Sequence, residues 1–126
     1  MADYLLLLHN EDAAIDRLPA EAKKELFDRF VVWSEALKAS GILRAVESLM
    51  DDGGTTLRKK RDVLVVDGPY AELKEMVNGF FVIAVDDAAE ARRIASQCPI
   101  LDAGGAVELR EIAPFPVRPD RGSSAD

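Results

Sequence analysis

The chain has 126 residues, of which 48% are hydrophobic and 31% charged, which is the size and balance of one globular domain. Its 16 basic residues against 23 acidic ones leave a net charge of -7. Contacts with phosphate groups need clustered positive charge, so this balance argues against nucleic acid as a partner. It argues equally against an anionic membrane surface.

The single cysteine and the single histidine restrict the chemistry of the chain. Cys98 has no partner for an intramolecular disulfide, and it is too few for a cysteine-based zinc site. His9 alone excludes a site with several histidines in one chain, so we expect no metal and no cofactor. The apolar runs are too short for a signal peptide or a membrane span, and the cytoplasm is the expected location.

The first half of the chain alternates strand and helix patterns. Residues 4–9 are a short apolar run, typical of a central strand that is buried on both faces. Pro19 opens an amphipathic helix of about 20 residues that ends at Gly41. Residues 42–50 and 55–66 then predict two strands around a turn.

A basic run, residues 58–61, interrupts the second of these strands. We interpret it as a solvated turn or bend ahead of a short strand at 63–66. An anion or an acidic partner is the alternative use of such a run, although four charges on one turn are too few for strong binding to nucleic acid. Residues 67–70 are a strong breaker.

The second half predicts a connector at 71–78, a strand at 80–85 and a last strand at 106–112. Between these strands lies a helix over 87–97. Asp87 and Glu90 form a variant of the capping box at its start, and the spacing places Ala88, Ala91, Ile94 and Ala95 on one face. We expect residues 1–113 to form the domain and residues 114–126 a flexible tail.

This order of elements predicts an α+β fold, a ferredoxin-like βαββαβ sandwich. In such a fold both helices pack on one face of the sheet. Apolar strands then leave an uncovered face that needs a partner, so we expect a homodimer.

Residues 63–81 carry the signature that resembles the DGPF-type branch of the YCII-related family. The typical string is Asp-Gly-Pro-Phe-Ala-Glu-Thr-Lys-Glu, followed by a Gly-Phe strand start. Tyr70 and Leu73 depart from it, and the other signature residues match: Asp67, Gly68, Pro69, Ala71, Glu72, Lys74, Glu75, Gly79 and Phe80.

The resemblance covers residues 3 to 112 and implies a ferredoxin-like fold that forms a dimeric α+β barrel. It leaves the activity undetermined. The compact branch of the family has a proposed histidine–aspartate pair, by likeness to muconolactone isomerase, with its histidine on the first helix. This first helix has no histidine, so the resemblance leaves Asp67 and His9 as the candidate catalytic residues.

The segment that begins at Asp67 has a structural and a functional interpretation. Its residue types are those of a rigid turn. A rigid turn is also a good mount for a carboxylate at a pocket mouth, where burial turns such a group into a general base. The predicted ligand-binding residues belong to the same segment: Gly68, Pro69, Tyr70, Glu72 and Lys74.

Two functions from different classes remain open. One is a ligand-binding or regulatory accessory protein with a pocket for an unknown small molecule near Asp67. Genes of the resembling branch often lie near extracytoplasmic-function sigma factors, which implies such a role. The other is a small isomerase- or lyase-like enzyme that uses Asp67 and His9 for proton transfer.

Overall fold

The computed structural model describes residues 1–11, 15–50, 54–68 and 75–120. These residues contain six strands, two α-helices and a 3-10 helix. In chain order these elements are β1 (Ala2–Glu11), α1 (Ala20–Ala39), β2 (Leu43–Ser48), β3 (Thr56–Lys60), β4 (Val63–Asp67), β5 (Glu75–Val85), α2 (Ala88–Ala95), the 3-10 helix (Pro99–Ala103) and β6 (Ala106–Glu111).

Four strands form one antiparallel sheet in the order β2-β5-β1-β6. With two helices in the connections, this is the α+β arrangement that the sequence predicts, and it is consistent with a ferredoxin-like fold. The other two strands, β3 and β4, pair only with each other in the described residues. They form a hairpin inserted between β2 and β5, which we call the arm (residues 54–68).

The two faces of the four-stranded sheet differ in burial. Leu6 and Ile83 are fully buried on the face that carries the helices and the core. Leu5, Leu7, Phe80 and Val82 alternate with them, and they are only half-buried. The expectation that β1 is buried on both faces is therefore wrong for one face, because both helices pack on the other.

The core is built where the helices meet this sheet. Ile94 of α2 and Ile100 of the 3-10 helix are buried beside Leu6 and Ile83, and each such side chain contributes about 1.5–3 kcal/mol of burial. The sequence pattern does not predict the 3-10 helix that follows α2. Pro99 begins this further turn.

Both helix boundaries follow the local signals in the sequence. Pro19 precedes α1, and Gly41 follows it with a φ of 79°, a conformation that favours glycine. Asp87 Oδ1 accepts a hydrogen bond from the Glu90 amide at 2.9 Å, which confirms the predicted cap of α2. Ala88 was expected on the buried face but is exposed, because it lies in the first turn, before the helix reaches the sheet.

The arm corrects the interpretation of the basic run. Arg58, Lys59 and Lys60 are strand residues of β3, and only Arg61 of the run lies in the turn. Arg61 and Asp62 have φ values of 51° and 67°, as in the type I′ turns that suit the twist of a hairpin. The predicted connector is also too long, because β5 begins at Glu75 and takes in its last four residues, 75–78.

Candidate functional site

A cleft of about 490 Å³ opens between α1 and the β2–β5 edge of the sheet. We call it the α1 cleft. Helix side chains form one wall and strand residues form the other, so the cleft lies on the helix-covered face. Among the described residues its lining includes Leu8, Lys23, Leu26, Phe27, Phe30, Val31, Ser34, Glu35, Val46, Glu47, Ser48, Asn78, Gly79, Phe80, Phe81 and Ile100.

Aromatic and aliphatic side chains dominate this lining. The Trp33 ring lies 4.7 Å from the Phe81 ring and 6.3 Å from the Phe30 ring, measured between centroids. Phe27 and Val31, at the mouth, are 66% and 45% exposed. Large apolar side chains that remain this exposed are typical of a surface that meets a ligand or a partner.

Asn78 is the polar residue whose position in the cleft is most unusual. Leu8 pairs with Gly79 and His9 pairs with Val77, so Asn78 is the extra residue of a β-bulge. Bulges change the direction of a side chain and recur next to functional sites. The Asn78 Oδ1 atom is buried and accepts no hydrogen bond from the described residues. A buried amide oxygen without a donor costs about 1–3 kcal/mol, and a ligand that donates a hydrogen bond would remove that cost.

Gly79 brings the walls of the cleft together at this point. A Cβ atom built on Gly79 would lie 2.5 Å from the backbone oxygen of Glu47. Only glycine therefore lets β2 approach β5 so closely. The backbone of Leu49 also donates to the Asn78 carbonyl at 2.8 Å, which fixes the bulge against the residue that follows β2.

His9 lies on the opposite, uncovered face, one residue beyond Leu8. Its Nε2 atom is 3.0 Å from Oε1 of Glu108, and Arg110 donates to the other oxygen of that carboxylate at 3.2 Å. The hydrogen bond from Arg110, and to a smaller extent the one from His9, lowers the pKa of Glu108 from its ordinary value of 4.5. A carboxylate that orients an imidazole is a known arrangement for proton transfer.

Asp67 ends β4 at the base of the arm, where its side chain is half-buried. Neither Asp67 nor His9 belongs to the described lining of the α1 cleft. In the strand register, Asp67 lies opposite Thr56 in the arm, whereas His9 lies opposite Ala106 in the main sheet. A catalytic pair formed by the side chains of His9 and Asp67 stays a prediction from the sequence.

Gly68 is the one described member of the predicted ligand-binding set. It has a φ of 111°, and a Cβ atom there would collide with the backbone oxygen of Gly54. This confirms that the turn after Asp67 needs glycine. Pro69, Tyr70, Glu72 and Lys74 lie outside the described residues.

The sequence did not point to two residues of these sites, Asn78 and Glu108. A bulge has no local signal, although a glycine directly after Asn78 is a weak indication of one. Glu108 meets His9 only through the pairing of β1 with β6, which no local pattern encodes.

Within the described residues, the structure shows neither a reactive thiol nor a cluster of metal-binding side chains. Cys98 is buried, and its burial raises the pKa of the thiol to about 11, so it remains protonated at neutral pH. Within residues 1–11, 15–50, 54–68 and 75–120, no cluster of three histidine, cysteine or acidic side chains is arranged to hold a metal ion. None of the helices in that part of the chain has the length and apolar character to cross a bilayer.

Comparison with known proteins assigns the family. A model of the YCII-related domain matches residues 2–116, so the chain belongs to the YCII-related family. A comparison with curated proteins gives no match. Among solved structures, the chain is similar to 5-chloro-2-hydroxyhydroquinone dehydrochlorinase (TftG) from Burkholderia phenoliruptrix AC1100, in complex with 2,5-dihydroxybenzoquinone. The identity is 17%, the coverage is 86% of this chain and 93% of that one, and the TM-score is 0.44. A likeness of this degree says nothing about substrate.

Proposed function

We propose that this protein is a small-molecule-binding accessory protein of the DGPF-type branch, and that its ligand occupies the α1 cleft. The observation that supports it is the bulged Asn78, whose buried Oδ1 atom accepts no hydrogen bond from the described residues and lies in a residue that lines a cleft walled by phenylalanine. A site of this volume with one fixed polar group is typical of ligand pockets.

The lining defines the chemistry of the ligand. A flat apolar body suits Phe30 and Phe81, and one hydroxyl or amine group would donate to Asn78 Oδ1. In the sequence, residues 69–74 lie between the arm and β5, a few positions ahead of Asn78. We therefore keep Tyr70, Glu72 and Lys74 as proposed contacts of the same ligand, with Asp67 and Gly68 at the turn that carries them.

Trp33, the only tryptophan of the chain, provides the assay. Its ring contacts two phenylalanines of the cleft, so energy transfer from Trp33 to the dye 8-anilinonaphthalene-1-sulfonate reports occupancy. We expect 1-naphthol to displace the dye about fivefold better than 1-methoxynaphthalene, because a net hydrogen bond of about 1 kcal/mol separates a donor from a non-donor. The Asn78→Leu variant should abolish this preference.

Two variants of α1 test where the dye binds. Phe27→Ala removes a ring from the cleft mouth and should weaken dye binding, whereas Val32→Ala, 70% exposed on the same helix and outside the cleft lining, should not. Equal displacement by the two naphthalenes in the wild type, or a preference that survives Asn78→Leu, would contradict the proposed function.

The alternative function is a small acid–base enzyme of isomerase or lyase type. The contact of His9 with Glu108 favours it, because the carboxylate orients the imidazole. Asp67 is the second proposed catalytic group. A metabolite screen for turnover tests this alternative. Activity that His9→Gln and Asp67→Ala each reduce would support it, and binding without turnover would support the accessory protein.

We further infer that two copies associate through the uncovered face and form a dimeric α+β barrel. Leu5, Leu7, Phe80 and Val82 support this association, since a single copy leaves them half-buried on a face without a helix. Such a face is isologous, with each copy burying the same residues.

A further inference from the structure

The arm exposes one apolar face that its own chain leaves uncovered. The register places Leu57, Leu64 and Val66 on the same side of the two strands, and they are 63%, 57% and 56% exposed. Within the described residues, no other helix or strand packs extensively against β3 or β4. A lone two-stranded hairpin is marginally stable in water, so this face needs a partner.

The charge of the arm is opposite to that of the rest of the chain. Arg58, Lys59, Lys60 and Arg61, against Asp62 and Asp67, leave +2 on the arm and therefore -9 on the remainder. None of these four cations forms an ion pair with another described residue. Electrostatic complementarity therefore favours a partner with the composition of this chain's own body.

The mouth of the α1 cleft has the matching properties. Phe27, Val31 and Val46 expose apolar surface there. Glu35 of α1 lines the same cleft and forms no ion pair with another described residue. Lys23 also lies in this lining, whereas Glu47 pairs with Phe80, which places its side chain on the uncovered face.

On the arm, Lys59 shares the apolar face, and Arg58 and Lys60 lie on the opposite one. The arm thus offers an apolar strip with one cation, and the cleft mouth offers an apolar strip with the Glu35 carboxylate.

We propose that the arm of one copy packs across the mouth of the α1 cleft of a second copy, so that each ligand site is closed by the partner. This rests on the proposed ligand site. Leu57, Leu64 and Val66 of the arm cover Phe27 and Val31, and Lys59, which shares their face of the arm, approaches Glu35. By two-fold symmetry the contact forms twice in a dimer, which adds its area to that of the uncovered face.

In this copy the arm does not close its own cleft. No described residue of the arm belongs to the lining of the α1 cleft, and α1 does not pack extensively against β3 or β4. Gly68 adopts a φ of 111° and lies against the backbone of Gly54, so the two ends of the arm are held close together. A second copy is therefore the occupant that this arrangement favours.

Cross-linking between two variants that each carry one introduced cysteine tests the contact. Tagged Leu64→Cys protein is mixed with untagged Phe27→Cys protein and treated with a short bismaleimide. The wild type serves as the blank, because its cysteine, Cys98, is buried. We expect a tagged–untagged adduct. The matched control is Val63→Cys with Phe27→Cys, because Val63 is 62% exposed on the opposite face of the arm. The control should give several-fold less adduct.

Three results would overturn the proposal. One is equal yield from the control pair. Another is no adduct at concentrations where the wild type is a dimer. The third is concentration-independent cross-linking within a Phe27→Cys/Leu64→Cys double variant, which would make the arm a lid on its own cleft. The arm would be assigned to a lipid surface instead if no adduct formed, the wild type sedimented with phosphatidylglycerol vesicles, and Lys59→Glu abolished that sedimentation.

The naphthalene assay separates this proposal from the proposed function. A Leu57→Ser/Leu64→Ser variant should bind 1-naphthol several-fold more weakly while it keeps its preference over 1-methoxynaphthalene. If the adduct fails to form and the preference persists, only the arm contact is wrong. If the adduct forms and the wild type shows no preference, only the ligand site is wrong.

Discussion

Gly79 and Gly41 are both required, for different physical reasons. A Cβ atom on Gly79 would meet the Glu47 backbone oxygen at 2.5 Å, whereas one on Gly41 would meet nothing within 4 Å. Gly79→Ala should therefore force β2 from β5 and cost about 2–3 kcal/mol. Gly41→Ala introduces only the strain of a left-handed residue, about 1 kcal/mol. Urea denaturation of both variants measures the difference, and equal losses would contradict it.

Glu108 predicts a pH dependence whose sign follows from its lowered pKa. Because Arg110 and His9 hold the folded pKa below 4.5, the ionised carboxylate stabilises the fold at neutral pH. That contribution is complete above the unfolded value and is lost as the pH falls through the lower folded one. A carbon-13 NMR titration should place the Glu108 midpoint below 4.5. Arg110→Gln should raise it, and a midpoint that does not move would remove Arg110 as the main cause.

Single residues were predictable where their role is local. Gly41, Gly68 and Asp87 act within a few residues of their own position, and the structure confirms the local role of each. His9 was recognised as a candidate, but Glu108 lies 99 residues away. Asn78 depends on a bulge that exists only once β1 and β5 have paired. Long-range pairing decides these contacts, and a local pattern contains no trace of it.

The N-terminus of α2 allows a test at the scale of one element. Asp87 accepts the Glu90 amide at 2.9 Å, and this hydrogen bond satisfies a donor that the helix leaves free. Asp87→Ala should cost about 1 kcal/mol in the free energy of unfolding. Asp86→Ala is the matched control, since Asp86 is also exposed and precedes the cap. The cap assignment would be wrong if both variants lost the same stability.

Elements were predictable where one pattern dominated. The 3.6-residue spacing of Leu26, Phe30, Trp33 and Leu37 located α1. The arm was misjudged because strand residues on a solvent-exposed hairpin need no apolar alternation, and the charges of Arg58 to Lys60 resembled a turn. An element that no other described helix or strand packs against extensively gives the weakest signal, and for the same reason it is the best candidate for a contact between copies.

At the scale of the whole molecule, the order of elements was enough to predict the antiparallel α+β fold. The placement of both helices on one face of the sheet was also predictable from that order, but which residues of β1 face the helices was not. The α1 cleft was not, since it depends on how far β2 approaches β5 at Gly79. The cleft and the uncovered face lie on opposite sides of one sheet and share only Phe80 among the residues named for each, so ligand binding and association can be tested separately with variants at the other residues.

Leu7 tests the association through the uncovered face. It lies opposite Phe80 and Glu108 in the register, near the centre of the half-buried apolar strip. Leu7→Arg would place a long charged side chain from each copy in an isologous apolar interface, and removing a charged group from water costs several kcal/mol unless its pairing is complete. Sedimentation equilibrium should show a dimer for the wild type and 13.8 kDa for the variant.

Val32→Arg is the control for that prediction, because Val32 is 70% exposed on the opposite side of the sheet and its charge remains in water. It should sediment as the wild type does, and circular dichroism should show that both variants are folded. The uncovered face would be excluded as the interface if Leu7→Arg remained a dimer. If Leu7→Arg became a monomer and also lost the Leu64–Phe27 cross-link, the arm would act only within the dimer that this face forms. Retention of the cross-link would instead mean that the arm holds two copies together by itself, since only the arm and the cleft mouth would then remain in contact.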